Sequence, residues 1–109
     1  MAGFVKGDIV VIPFPFSDLS GSKKRPALVL ADLQGDDIIL CQITSQQSKD
    51  AYAIAIDQTD FARGSLPVAS NIRPSRIFTA DKKIILRTAG TLKSASLIKV
   101  SNAIVKLLT

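Results

Sequence analysis

Residues 7–30 read GDIVVIPFPFSDLSGSKKRPALVL, and the apolar runs at its two ends decide the fold. The first ten are rich in β-branched and aromatic side chains, which predicts a strand. Pro13 and Pro15 remove two ladder donors on one side. The second half of that strand is therefore expected at a sheet edge or outside the sheet. Residues 17–25 are small, polar and charged and predict a mobile surface loop. Residues 26–32, PALVLAD, predict the next strand. Three consecutive cations, Lys23, Lys24 and Arg25, thus stand at the mouth of an apolar strand.

Outward from there, LQGDD predicts a turn, and IILCQIT at 38–44 returns as the hairpin partner. Residues 51–57 predict a further strand. Residues 59–64 predict one helical turn, capped by Thr59 or Asp60 and closed by Gly64. Residues 71–78 read as extended, with an interruption at Pro74, and 82–88 as the last strand. From residue 94 the period changes. Leu97, Val100, Ile104, Leu107 and Leu108 recur at helical spacing, with Ser94 as N-cap. Strands followed by one helix predict an α+β, mainly β fold: a small bent sheet or barrel of about five to seven strands covered by a C-terminal helix.

A chain of 109 residues fits one domain, 1–109. At that size it hides about two-thirds of its unfolded surface. The single cysteine, Cys41, rules out a disulfide framework and suits a reducing cytoplasm. No run is long enough for a membrane span, and the N-terminus has no signal-peptide core. A net charge of +5 favours a polyanionic partner. The chain has no histidine, and all its acids are aspartate. Histidine general-base chemistry and Ser-His-Asp or Cys-His pairs are excluded. One cysteine without histidine cannot hold zinc, and no phosphate-binding loop or dinucleotide fingerprint occurs. No metal and no cofactor is expected. Catalysis is left to Arg, Lys, Asp, Ser, Thr, Tyr and backbone groups.

Arg25 precedes Pro26 and Arg73 precedes Pro74. A residue before proline is pushed into extended geometry, so the sequence twice fixes the backbone of an arginine. A guanidinium is a planar fork of donors suited to phosphate oxygens and stays protonated. Surface arginines at strand ends are also ordinary and need no function. Lys23 and Lys24 suit phosphate attraction, or simply keep an edge soluble. The hairpin brings Thr44 and Ser45 back beside Arg25. Their hydroxyls can hold a phosphate oxygen, or close a local turn. Cys41, in mid-strand, reads as a buried inert thiol. Tyr52 and Phe16 can stack on a base, although aromatics in a chain with so few are mostly core.

The opening stretch, a strand ending in ITS, the run RPSRIFTAD and an apolar C-terminal helix together resemble the MazF/PemK family of toxins from bacterial toxin–antitoxin modules. The resemblance spans Gly7 to the final helix. It implies an SH3-like β-barrel with helices, working as a homodimer. It also implies metal-independent, sequence-selective cleavage of single-stranded RNA, and an acidic cognate antitoxin that blocks the RNA site. By position, Arg25 matches the family's catalytic arginine, and Thr44 the hydroxyl residue ending the paired strand. Arg73 falls where some members have a further functional arginine. Ser75 falls where certain members carry an acid proposed as proton carrier. RNA contacts are then expected from Ser22, Lys23, Lys24, Ser45, Gln46, Arg73, Ser75 and Arg76, with base selection in the loops at 17–25 and 46–50. With Ser75 in place of the acid, either Asp18 serves as base or catalysis rests on positioning and charge stabilisation.

Two other functions fit the same residues. One is a catalytically impaired nucleic-acid-binding barrel, which Ser75 favours. The other is a toxin of related fold that binds a protein target such as gyrase, which the pairing of Arg25 with Thr44 disfavours.

Overall fold

A computed structural model describes residues 3–14, 23–45 and 51–109, with the backbone alone for Phe14 and Lys23. Seven strands form one curled antiparallel sheet: β1 (Asp8–Phe14), β2 (Lys23–Asp32), β3 (Asp37–Thr44), β4 (Ile54–Ile56), β5 (Phe61–Gly64), β6 (Ser70–Asp81) and β7 (Arg87–Leu92). Their order is β4-β6-β3-β2-β1-β7-β5. One helix, α1 (Ser94–Leu108), closes the chain. No described helix is long and apolar enough to cross a membrane. The mainly β fold with one C-terminal helix is the one expected from the change of period at residue 94.

Alternation within the strands buries both faces of the sheet. One face gathers Ile9, Leu28, Cys41, Ile43, Ile72 and Leu92, and Val100 of α1 lies among them. The other gathers Val10, Ile12, Ala27, Val29, Ile38 and Leu40, covered by Phe4, Phe78, Ile84 and Ile85. A sheet buried on both sides explains why β1 and β2 read as near-continuous apolar runs rather than as an alternation.

Pro13 sits where the sequence requires it. β1 pairs with β7 only from Asp8 to Val11, whereas it pairs with β2 from Ile9 to Phe14. Beyond Val11 no strand among the described residues lies beside one side of β1, so a missing donor there breaks no described ladder. Pro15 lies outside the described residues.

Several elements differ from expectation. Lys23 and Lys24 belong to β2, opposite Phe14 and Pro13, and not to a loop. Ladder pairing with β1 extends the strand past the proline that seemed to start it. Of residues 51–57, only Ile54–Ile56 pair, against β6. The turn at Gln58–Asp60 is a 3₁₀ turn capped by Asp57, not by Thr59 or Asp60. Gly64 then ends a strand and not a helical turn. Residues Lys82–Ile84 form another 3₁₀ turn, so the last strand begins only at Arg87.

Ser94 is the first helical residue and Lys93 precedes it without a side-chain cap. The acid at this N-terminus comes from elsewhere. Asp60 accepts from Ser96 Oγ at 2.8 Å, and its carbonyl accepts from Lys93 N–H at 2.8 Å. A carboxylate near the first turn complements the helix dipole. Of the expected apolar helix positions, Val100 is buried and Leu97 and Ile104 pack against the core, while Leu107 and Leu108 are exposed.

Candidate nucleic-acid interface

The ladders fix where the candidate residues stand. Arg25 lies opposite Ile12 across β1–β2, and Lys24 opposite Pro13. The β2–β3 ladder runs as far as Ala27 opposite Gln42. Continued by two residues, that register brings Arg25 opposite Thr44. Thr44 in turn is paired with Asn71 of β6. The ladders themselves pair Arg25 with Ile12 and Thr44 with Asn71; Arg25 and Thr44 meet only along the continuation of a ladder whose last pair is Ala27 with Gln42. Residues opposite one another share a face, so that continuation puts Arg25 and Thr44 on the sheet face of Ile12 and Leu40. Thr44 is buried and Arg25 half-buried.

A cavity of about 590 Å³ includes Arg25 in its lining but not Thr44. Its floor is apolar, from Val11, Pro26, Ile43 and Leu86. Residues 66–68 form one rim, with Ser70 beside them. Lys24, Arg25 and Ser45 border one wall and Arg87 the other. All charged residues among the described lining are cations. Ser70 is buried and donates its hydroxyl to the Val68 carbonyl at 3.0 Å, which steadies the rim. An apolar floor with cations at its edge suits a base with its flanking phosphates.

Arg87 was not singled out in the sequence. Expecting a strand over 82–88 made it one residue among seven. It gains its position because Val11 pairs with Pro26 on one side and with Arg87 on the other. The only trace in the sequence is a cation following the apolar run IIL.

Arg73, Ser75 and Arg76 form a second group that does not border this cavity. Cys41 pairs with Ile77 and Ile43 with Ile72, so residues 73–76 of β6 bulge out against the single residue Gln42 of β3. Pro74 of this bulge is fully buried, while Ser75 and Arg76 are exposed. Cys41 is buried, and burial pushes its thiol up to about 12. It is inert as a nucleophile, as the sequence implied. Tyr52 is exposed and lies outside the cavity lining. Ser22, Gln46, Asp18, Phe16 and the side chain of Lys23 lie outside what the structure describes. Lys82 is committed elsewhere: it pairs with Asp32 and donates to the carbonyls of Leu33 and Gly35, tying down the β2–β3 turn. Among the described residues, no cluster of metal-ligating side chains occurs.

Comparison with known proteins agrees with this fold. Residues 5–108 match the family described as PemK-like, MazF-like toxin of type II toxin–antitoxin system. Among solved structures, a MazE–MazF complex from Deinococcus radiodurans superposes with a TM-score of 0.76 at 18% identity, covering 98% of this chain and 97% of that one. An endoribonuclease from a mycobacterial species gives 0.73 at 17% identity, covering 99% and 93%. A mycobacterial endoribonuclease in complex with its cognate antitoxin gives 0.74 at 17% identity, covering 96% and 94%. At these identities the likeness is one of fold. No curated protein matches the chain.

Proposed function

This chain belongs to the PemK-like, MazF-like toxins of type II toxin–antitoxin systems, a family of endoribonucleases, and we propose that it cuts single-stranded RNA at selected sequences without a metal ion. The observation that carries this reading is the cavity at the end of β2, whose described charged lining is entirely cationic and includes Arg25. In the reaction the 2′-oxygen of one nucleotide attacks its own 3′-phosphorus. The bond from phosphorus to the 5′-oxygen of the next nucleotide breaks. One fragment keeps a 2′,3′-cyclic phosphate, and the leaving 5′-oxygen takes up a proton. Arg25 offsets the charge that builds on the five-coordinate phosphorus. Thr44, opposite Arg25 on the continuation of the β2–β3 register, holds a phosphate oxygen. Lys24 and Arg87 hold the flanking phosphates, and Ser45 lines the base site. The 2′-proton passes to Asp18, or to water with catalysis resting on positioning.

The partners that accompany this reading are a cognate antitoxin, acidic and folding onto the cationic face, and a second copy of the chain. Messenger RNA as substrate places the action in the cytoplasm. Antitoxin affinity should fall as salt rises.

The test is incubation with single-stranded RNA in chelator-containing buffer, followed by end-group analysis. Fragments ending in a cyclic phosphate, with 5′-hydroxyl partners, are the expected result. Tight RNA binding without cleavage would replace this reading with the impaired binding barrel that Ser75 favours.

A further inference from the structure

The bulge in β6 is unusually large for the ladder it interrupts. Four residues, 73–76, stand against one on β3. A bulge of this kind re-aims side chains, but its extra residues lose ladder hydrogen bonds and must be held some other way. Two anchors are visible. Pro74 is fully buried, so its ring is set into the core with its φ already fixed. Beneath the start of the bulge, the Cys41 thiol donates to the Arg73 carbonyl at 3.0 Å. Cys41 itself is fully buried, in the core cluster with Ile43 and Ile72. A carbonyl accepts only from the protonated thiol, and burial keeps the thiol protonated across the working pH range.

We propose that Cys41 and Pro74 are positioning residues that hold the 73–76 bulge in one conformation, so that Arg73 and Arg76 meet the RNA backbone already ordered. The proposal rests on the RNA reading above. Cys41 touches neither substrate nor reacting atoms. It acts through the backbone of Arg73. An arginine on a fixed bulge loses less freedom on binding than one on a loose bulge, so the effect falls on substrate affinity and not on the bond-breaking step. Cysteine suits the place because it combines small apolar volume with one weak donor.

Three substitutions in the full-length chain separate this role from packing. Cys41→Ser keeps a donor, Cys41→Ala removes it, and Cys41→Val removes it while refilling the volume. RNA cleavage is followed well below the lowest unfolding temperature of the set, with amide hydrogen exchange at Arg73, Ser75 and Arg76 measured in parallel. The expected result is a KM for RNA raised about 3- to 10-fold in both Cys41→Ala and Cys41→Val, with kcat within about twofold. Exchange at the three amides should rise in the same two variants, and Cys41→Ser should stay close to wild type in both readouts. If Cys41→Val matches wild type while Cys41→Ser resembles Cys41→Ala, the residue is a packing element and the proposal is wrong. Unchanged KM in all three overturns it equally. Should the wild-type protein fail to cleave RNA, the parent reading falls, while exchange at the bulge still decides whether the thiol fixes it.

Discussion

Arg87 stands directly across the β1–β7 ladder from Val11, and Val11 stands across from Pro26 on its other side. Three strands in one row thus carry a cation to the cavity wall facing Lys24 and Arg25. Arg87→Ala should lower RNA affinity about 3- to 10-fold and the slope of log affinity against log salt by about one at most. Arg87 is exposed, so the urea unfolding midpoint should not move. Filter binding at several salt concentrations checks the first two quantities. An unchanged slope would remove Arg87 from the phosphate contacts.

Lys24 and Arg25 are adjacent ladder residues, yet their substitution should give different kinetics. Lys24→Ala should weaken binding, lower the salt slope by about one and leave turnover of bound RNA nearly intact. Arg25→Ala should keep binding within about tenfold and slow single-turnover cleavage about 100-fold or more, because a fixed guanidinium meets the phosphate as its charge rearranges. Quench-flow under saturating RNA distinguishes them. Wild-type cleavage by Arg25→Ala would reduce Arg25 to another rim cation.

Gly64 and Gly90 face each other across β5–β7. Gly64 has φ of +71°, and a Cβ there would run into the Ala89 backbone. Gly35 also has positive φ, +81°, but open space around it. Gly35→Ala should therefore show torsional cost alone, about 1 kcal/mol, and Gly64→Ala about 2 kcal/mol or more. Urea denaturation of the two variants compares them directly.

Asp57 is held below the ordinary carboxylate range by hydrogen bonds from the Thr59 side chain and the Thr59 backbone. A depressed folded-state value means stability that is present above the unfolded value and lost as pH falls through the folded one. Asp57→Ala should lower Tm at neutral pH, and the difference from wild type should shrink as pH drops below about 3.8. Thermal melts from pH 7 to pH 2 follow the convergence.

The Cys41 thiol should be silent to an aromatic disulfide reagent at pH 8 in the native chain and react stoichiometrically in denaturant. Rapid labelling of the folded protein would show that the core around Ile43 opens far more often than its burial implies.

The strands around Arg25 were legible because they carry their own signals: β-branched runs, a proline fixing each arginine, and a hairpin turn between residues 32 and 37. What was hidden depended on partners far along the chain. Lys24 reads as loop from its neighbours, and only pairing with Pro13 makes it strand. Ser94 carries the local signal of a cap, but Asp60, more than thirty residues earlier, supplies the acid to that helix end. Arg87 follows an apolar run whose start is drawn into a 3₁₀ turn, where Asp81 accepts from Lys83 N–H at 2.8 Å. Its place on the cavity wall comes from Val11, which no local pattern around residue 87 announces. Of the cavity lining, then, Arg25 and Ser45 followed from one hairpin, while Arg87 needed the whole sheet.

The depth at which Cys41 lies has a consequence for how such a chain can be governed. Its thiol is out of reach of small oxidants in the folded state, and the sequence has no second cysteine with which to form an internal bridge. With no histidine, no side chain of ordinary pKa changes charge between about pH 5 and 8. Acidity and oxidation, the two signals a cell sends most cheaply through solution, find no receiver in the described core. On the function proposed above, restraint arrives as matter, in a bound partner such as the proposed antitoxin. Under that proposal, release would follow the supply and decay of the partner rather than any chemistry of the chain itself.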